Sequence, residues 1–173
     1  MLETLGNWID GFGVYRLMNA NDWLWPLCET IHFVGMALLI GSIGILDLRV
    51  LGFGKGLPIA KLEALVPVAI GAFAANATTG ILFIIANPAG GANAYLLNLA
   101  FQIKIVLILL AGINAIAFYF TGIAGKMVAL GPVDEAPANA KLIAGASIGL
   151  WIFVIIFGRL VMYNDTLLWF LGM

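Results

Sequence analysis

The 173-residue sequence predicts an all-α membrane protein, a single domain in which four transmembrane helices form a bundle. Hydrophobic residues make up 63% of the chain and charged residues only 10%, whereas a soluble domain is roughly half apolar and about a quarter charged. Four apolar stretches are each long enough to cross a hydrocarbon layer of about 30 Å as a helix. These stretches are continuously apolar rather than alternating, which argues against the strands of a membrane barrel.

The four predicted spans follow one another along residues 23–46, 64–86, 101–123 and 142–163. Glycine and proline are concentrated in the connections between them, as is typical of segments that end helices. The mean hydropathy of the whole chain, +1.08, agrees with four spans in so short a sequence.

Residues 1–21 predict a short amphipathic helix that lies in the membrane interface. Apolar residues and one arginine recur there at helical spacing: Leu2, Leu5, Ile9, Phe12 and Arg16. This segment has neither the basic start nor the apolar core of a signal peptide.

The basic residues predict the orientation of the chain. Five of them belong to the connections between spans one and two and between spans three and four: Arg49, Lys55, Lys61, Lys126 and Lys141. On the opposite side, only Arg16 lies outside the spans. Because cytoplasmic loops carry the excess of Lys and Arg, both termini are expected on the outer side of the membrane.

The charge balance limits the classes of partner. Eight Lys and Arg residues against nine Asp and Glu residues leave a net charge of -1, which excludes a nucleic-acid-binding surface. The expected partner is the lipid bilayer, and both a homo-oligomer and a larger membrane complex remain open.

Ionisable residues inside the predicted spans are the main candidates for a functional site, because charge is costly in hydrocarbon. There are four of them: Glu29, His32, Lys104 and Arg159. With the predicted orientation, all four lie in the outer half of the bundle, and the spans carry no ionisable residue in the inner half. Spans two and three add polar residues to a candidate pocket: Asn76, Thr79 and, deeper, Asn114.

His32 is the only histidine of the chain, and three roles are open for it. It can be a structural side chain that pairs with Glu29 or with a backbone carbonyl. It can ligate haem iron, with Gly35 leaving room for the flat ring and with Lys104 and Arg159 facing the propionates. The iron would then be five-coordinate, or its second ligand would come from another residue or a second protomer.

The third role for His32 is copper binding. Cys28, His32 and Met36 follow one another at intervals of four residues and form one stripe on a helix. Thiolate, imidazole and thioether are ligand types that suit copper. Cysteine and methionine are also ordinary residues of membrane helices, so the stripe has a plain structural interpretation as well.

Three short sequence motifs carry a resemblance to a known family. Residues 25–35 read WPLCETIHFVG, residues 47–52 read DLRVLG and residues 98–104 read NLAFQIK. With Asn114 and the stretch 147–163, they resemble a family of small bacterial four-helix membrane proteins of unknown function. The resemblance covers residues 23–163 and implies the same four-helix fold.

A wider resemblance rests on His32 followed by Gly35, together with Lys104 near the start of the third span. This arrangement is similar to the HemJ-type membrane protoporphyrinogen oxidases and the CopD-type copper-resistance proteins. The HemJ-type likeness implies that His32 is a haem ligand and that Lys104 matches the lysine of the third helix.

These observations favour a membrane protein that binds haem b through His32 and has a redox-associated role. Two alternatives remain: a cofactor-free membrane protein or accessory subunit with a small-ligand pocket in the outer half, and a copper-handling protein. Residues of that pocket would include Glu29, Asn76, Thr79 and Asn114.

Overall fold

A computed structural model describes residues 1–10, 13–87, 91–131 and 134–172. In this part of the chain the protein is all-helical, with 82% helix and no strand, so the all-α prediction is confirmed. The helices are α1 Leu2–Asp10, α2 Val14–Asn19, α3 Leu24–Leu51, α4 Ile59–Leu62, α5 Val66–Ile85, α6 Asn93–Leu96, α7 Leu99–Phe120, α8 Ile123–Val128, α9 Ala138–Leu160 and α10 Asn164–Phe170.

Four helical segments are long and apolar enough to cross a membrane: Leu24–Leu51, Ile59–Ile85, Leu99–Phe120 and Ala138–Phe170. The prediction of four spans is therefore confirmed by length and composition. At most 22% of the apolar window of any segment is buried inside the chain. The remaining apolar surface needs a hydrocarbon solvent, and helices satisfy their own backbone hydrogen bonds there.

The first span is longer than predicted, because α3 continues past residue 46 to Leu51. Val50 and Arg49 are buried in its last turn, and the helix stops at Gly52, whose φ of 106° suits glycine. Asp47 and Arg49 therefore belong to the helix of the first candidate span. The expectation that the inner half of the spans holds no ionisable residue stays a prediction, because the length of a helix does not fix where the hydrocarbon layer ends.

The chain divides into two compact units. The first unit comprises Met1–Met36, Ala72–Ile105 and Ile156–Met173, and the second comprises Ala37–Gly71 and Val106–Ile155. Each unit draws segments from all four candidate spans.

In the first unit, two helices replace the single N-terminal helix predicted for residues 1–21. They are α1 and α2, and Phe12 of the predicted pattern lies outside the described residues. Helix α1 packs on α6: the Asn93 amide donates to Asn7 Oδ1 at 2.9 Å, and the Ala92 N–H donates to Asp10 Oδ1 at 2.8 Å. Gly6 is buried against Asn93, where a larger side chain would collide. These contacts anchor α6, the helix that carries Tyr95.

The second unit has an apolar core around Met127, which is completely buried. Its buried neighbours come from α3, α4, α8, α9 and the segment before α9: Val50, Ile59, Ile123, Ala136, Ala140 and Ala144. On the surface of this unit, Lys55 and Lys141 pair with Glu135 at 3.0 and 3.2 Å. Hydrogen bonds from Lys55 and then Lys141 lower the pKa of Glu135 below its ordinary value. Because this cluster is exposed, solvent screens its contribution to stability.

Candidate functional site

A small cavity in the first unit contains two of the predicted site residues, Glu29 and His32. Its volume is about 100 Å³, and it is lined by Trp25, Glu29, His32, Phe33, Phe83 and Tyr95. Four of these six side chains are aromatic. The cavity is therefore a largely apolar space with a carboxylate and an imidazole in its wall.

His32 is held by a hydrogen bond from α3 to α5. Its Nδ1 lies 2.7 Å from the hydroxyl of Thr79, a buried residue. The Thr79 hydroxyl lies 2.8 Å from the Ala75 carbonyl oxygen and donates to it, because two oxygens at that distance need a hydrogen between them. The hydroxyl consequently accepts from the Nδ1–H of His32.

The Thr79 contact assigns the tautomer of the neutral imidazole. With the proton on Nδ1, the Nε2 atom keeps its lone pair and is an acceptor. The described hydrogen bonds of the ring are the one between Nδ1 and the Thr79 hydroxyl and one with the Asn76 backbone. The ring also packs against Phe83, with centroids 5.3 Å apart. The imidazole is thus held against α5, and it also forms part of the cavity wall.

One interpretation of the sequence expected Glu29 to pair with His32. In the described part of the chain, Glu29 hydrogen-bonds to Trp25 instead. Its Oε1 accepts a hydrogen bond from the Trp25 indole at 2.9 Å, one turn earlier on α3. Burial and, second, the charge of Glu29 raise the pKa of Tyr95 in α6. Tyr95 therefore presents a neutral phenol to the cavity, beside the Glu29 carboxylate.

Gly35 packs against α5, and the prediction that it leaves room for a flat ring stays a prediction. A Cβ at Gly35 would lie 2.8 Å from Asn76 Nδ2 and 3.3 Å from the Ala72 carbonyl oxygen. Asn76 Nδ2 also donates to the Ala72 carbonyl at 3.1 Å. The space is filled by Asn76, and the function of Gly35 is to let α3 and α5 approach closely.

The two predicted cations do not line the cavity. Lys104 packs along Gly158, where an added Cβ would lie 3.6 Å from its Nζ. It is close enough to His32 for its charge to act on the imidazole. Arg159 is exposed, and it donates to the Tyr163 hydroxyl at 3.4 Å with its guanidinium over that ring.

The remaining predicted residues lie elsewhere. Asn114 belongs to the second unit, where its amide donates to the Ile143 carbonyl at 3.1 Å. Cys28 is buried in an apolar cluster with Met18 and Ala86. Within residues 1–10, 13–87, 91–131 and 134–172, no three His, Cys, Asp or Glu side chains are grouped to hold a metal ion. The copper expectation therefore gains no support from the geometry.

Sequence reasoning missed the aromatic walls of the cavity. Trp25 stands four residues before Glu29 and Phe83 four residues after Thr79, so helical spacing could have placed both on the faces that carry the site. Tyr95 carries no such signal, because it belongs to a four-residue helix in a connection. Its place depends on the packing of α6 against α1.

Comparison with known proteins identifies no family for this chain. No family model, curated protein or solved structure matches the chain. The resemblance to the small four-helix family and to the HemJ and CopD types stays a prediction, and the chemistry of the site rests on its geometry.

The geometry meets one requirement of a haem site and fails another. Ligating histidines hold their second ring nitrogen in a hydrogen bond, as His32 does with Thr79. The cavity, however, is about 100 Å³, whereas pockets for drug-sized ligands are roughly 300–1,000 Å³. Because Asn76 also fills the face of Gly35, these residues do not fit a porphyrin ring.

Proposed function

We propose that this chain is an integral membrane protein that binds a small aromatic molecule bearing a hydrogen-bond donor, and that the His32 cavity is the binding site. The observation that carries the proposal is the lining of the cavity: four aromatic side chains surround one carboxylate and one imidazole. Aromatic walls favour an apolar ligand, and a few placed polar groups give it orientation.

The polar groups define the chemistry of the ligand. The Glu29 carboxylate accepts hydrogen bonds, and with its proton on Nδ1 the His32 imidazole has an acceptor at Nε2. A ligand that pairs with either of these acceptors must carry a hydrogen-bond donor, and one O–H group pairs with one of them. An apolar cavity of about 150 Å³ encloses benzene. This cavity of about 100 Å³ is smaller, so it would take part of a single ring, with the rest projecting past the exposed Phe33. A phenol meets each of these conditions.

Two neighbouring threonines of α5 provide a matched test. The hydroxyls of Thr78 and Thr79 each donate to the backbone carbonyl four residues earlier, at 2.9 and 2.8 Å. Of the two, Thr79 is the one that contacts His32. Thr79→Val should weaken para-fluorophenol binding roughly tenfold, because an unpaired buried polar group costs about 1–3 kcal/mol. Thr78→Val should leave the affinity unchanged. Fluorine NMR on the full chain in nanodiscs measures both.

Two controls distinguish ligand recognition from simple partitioning into lipid. Fluorobenzene, which lacks the donor, should bind more weakly than para-fluorophenol to the unmodified protein. Equal affinities for the two probes, or equal losses in the two threonine variants, would overturn the proposal.

Haem b is the competing hypothesis for the same histidine, and its support is the hydrogen bond that orients the imidazole through Nδ1. The purified, haem-supplemented protein should show no Soret band if the cavity takes only a single ring. A Soret band that is present in the unmodified protein and absent in His32→Ala would replace the small-ligand proposal with haem binding. Bound copper that is lost in His32→Ala would replace it with copper handling.

We further infer that the protein lies in a bacterial inner membrane with both termini on the periplasmic side, and that α1 and α2 lie in the interface. The excess of basic residues in two connections supports the orientation. Exposed apolar side chains in α1, α2 and α10 support interfacial contact: Leu5, Trp8, Leu17, Trp169 and Phe170.

Single-cysteine labelling tests this orientation, because Cys28 is the only cysteine. In a Cys28→Ala background, a membrane-impermeant thiol reagent applied to intact cells with a permeabilised outer membrane should modify Thr166→Cys and not Ala129→Cys. Both positions are exposed, in α10 and after α8 respectively. The reverse labelling pattern would show that the termini are cytoplasmic.

A further inference from the structure

A second polar group lies inside a candidate membrane span, apart from the His32 cavity. Asp47 belongs to α3 and to the second unit. Its Oδ2 atom is buried and has no hydrogen-bond partner in the described part of the chain. Ser147 of α9, itself buried, is the side chain that hydrogen-bonds to this carboxyl group. A buried polar atom without a partner is rare in proteins and calls for an explanation.

No cation neutralises this carboxyl group among the described residues. The described ion pairs join Lys55 and Lys141 to Glu135. On the same helix, Arg49 Nε donates to the Leu57 carbonyl at 2.8 Å.

The other titratable neighbours add no positive charge. Tyr119 of α7 is within electrostatic reach of Asp47 and also of Glu63. The groups that interact with Asp47 are therefore the Ser147 hydroxyl from α9, by a hydrogen bond, and the Tyr119 phenol from α7, through charge.

We propose that Asp47 is a proton-binding site of the second unit, and that its carboxyl group is protonated at neutral pH. A carboxylate with one oxygen beyond the reach of water and of any donor is strongly disfavoured, and such a group takes up a proton instead. In the neutral acid, Oδ2 becomes an uncharged carbonyl oxygen, whose missing hydrogen bond is much less costly. Protonatable carboxyl groups inside membrane helices are the chemistry of proton exchange. This site is independent of the ligand proposed for His32.

Infrared spectroscopy of the full chain in nanodiscs tests the protonation state directly. The unmodified protein at neutral pH should show the carbonyl stretch of a protonated carboxylic acid, and Asp47→Asn should lack it. Asp134→Asn is the matched control, because Asp134 is exposed and accepts from the Gly131 N–H at 2.8 Å. It should keep the band.

Thermal unfolding supplies a second, independent measurement. If Asp47 is already neutral, Asp47→Asn exchanges one uncharged group for another of the same shape and should unfold at the same temperature as Asp134→Asn. No acid band at neutral pH, or a band that persists in Asp47→Asn, would overturn the proposal. A band abolished by sodium chloride but not by choline chloride would also overturn it, because the occupant would then be a metal cation.

Discussion

Gly35→Ala should destabilise the protein by about 1–3 kcal/mol, the usual cost of forcing an extra methyl group into a packed contact. The new Cβ would lie 2.8 Å from Asn76 Nδ2 and 3.3 Å from the Ala72 carbonyl oxygen. Either the Asn76 amide rotates and loses its hydrogen bond to Ala72, or α3 and α5 move apart. Because Thr79 lies on α5, separation of these helices would also weaken its contact with His32.

Gly41 provides the matched control on the same helix. A Cβ at Gly41 meets nothing within 4 Å, so Gly41→Ala should be neutral or should stabilise α3 by up to about 1 kcal/mol through helix propensity. Denaturant unfolding of the two variants in one detergent gives the comparison. If both variants unfold alike, close approach of α3 and α5 at Gly35 is not what stabilises this part of the protein.

Met127→Ala should destabilise the protein by about 2–5 kcal/mol, the range for truncating a large apolar side chain in a core. Met127 is completely buried, and it belongs to the same buried cluster as Val50 at the end of α3 and Ala140 and Ala144 in α9. Its removal leaves a cavity whose walls come from several helices and cannot all collapse inward. The loss should be seen as a lower midpoint of denaturant unfolding.

Met162→Ala removes the same side chain from an exposed position, since Met162 is 74% exposed. It should change the free energy of unfolding by no more than about 0.5 kcal/mol, as most surface substitutions do. A loss as large as that of Met127→Ala would mean that Met162 is covered in the membrane-embedded protein. A negligible effect of Met127→Ala would contradict the core assigned to the second unit.

The spans could be predicted from the sequence because a membrane helix needs about 20 consecutive apolar residues and little else. The ends of the spans were less certain, as α3 illustrates. Asp47 and Arg49 resemble loop residues by composition, yet burial of Val50 and Arg49 continues the helix to Leu51. Hydropathy does not register a helix turn that is stabilised by packing.

The candidate site could be predicted in part. Glu29, His32 and Thr79 were identified from polarity inside apolar spans, and the first unit brings the carboxylate and the imidazole to one cavity. The bond from His32 to Thr79 needed the tertiary structure, because the two residues lie on different helices and nothing in their spacing pairs them. The same holds for Gly35, whose vacant face is occupied by a side chain from another helix.

By itself, the sequence determined that this is an all-helical chain with four segments able to cross a membrane, and that polar residues inside those segments deserve a functional test. Those properties depend on the composition of continuous stretches of the sequence. The tertiary structure decided which helices meet at Gly35, which side chains surround His32 and which oxygen of Asp47 lacks a partner. These are contacts between distant segments, and helix packing selects them through shape and hydrogen bonding rather than through hydropathy.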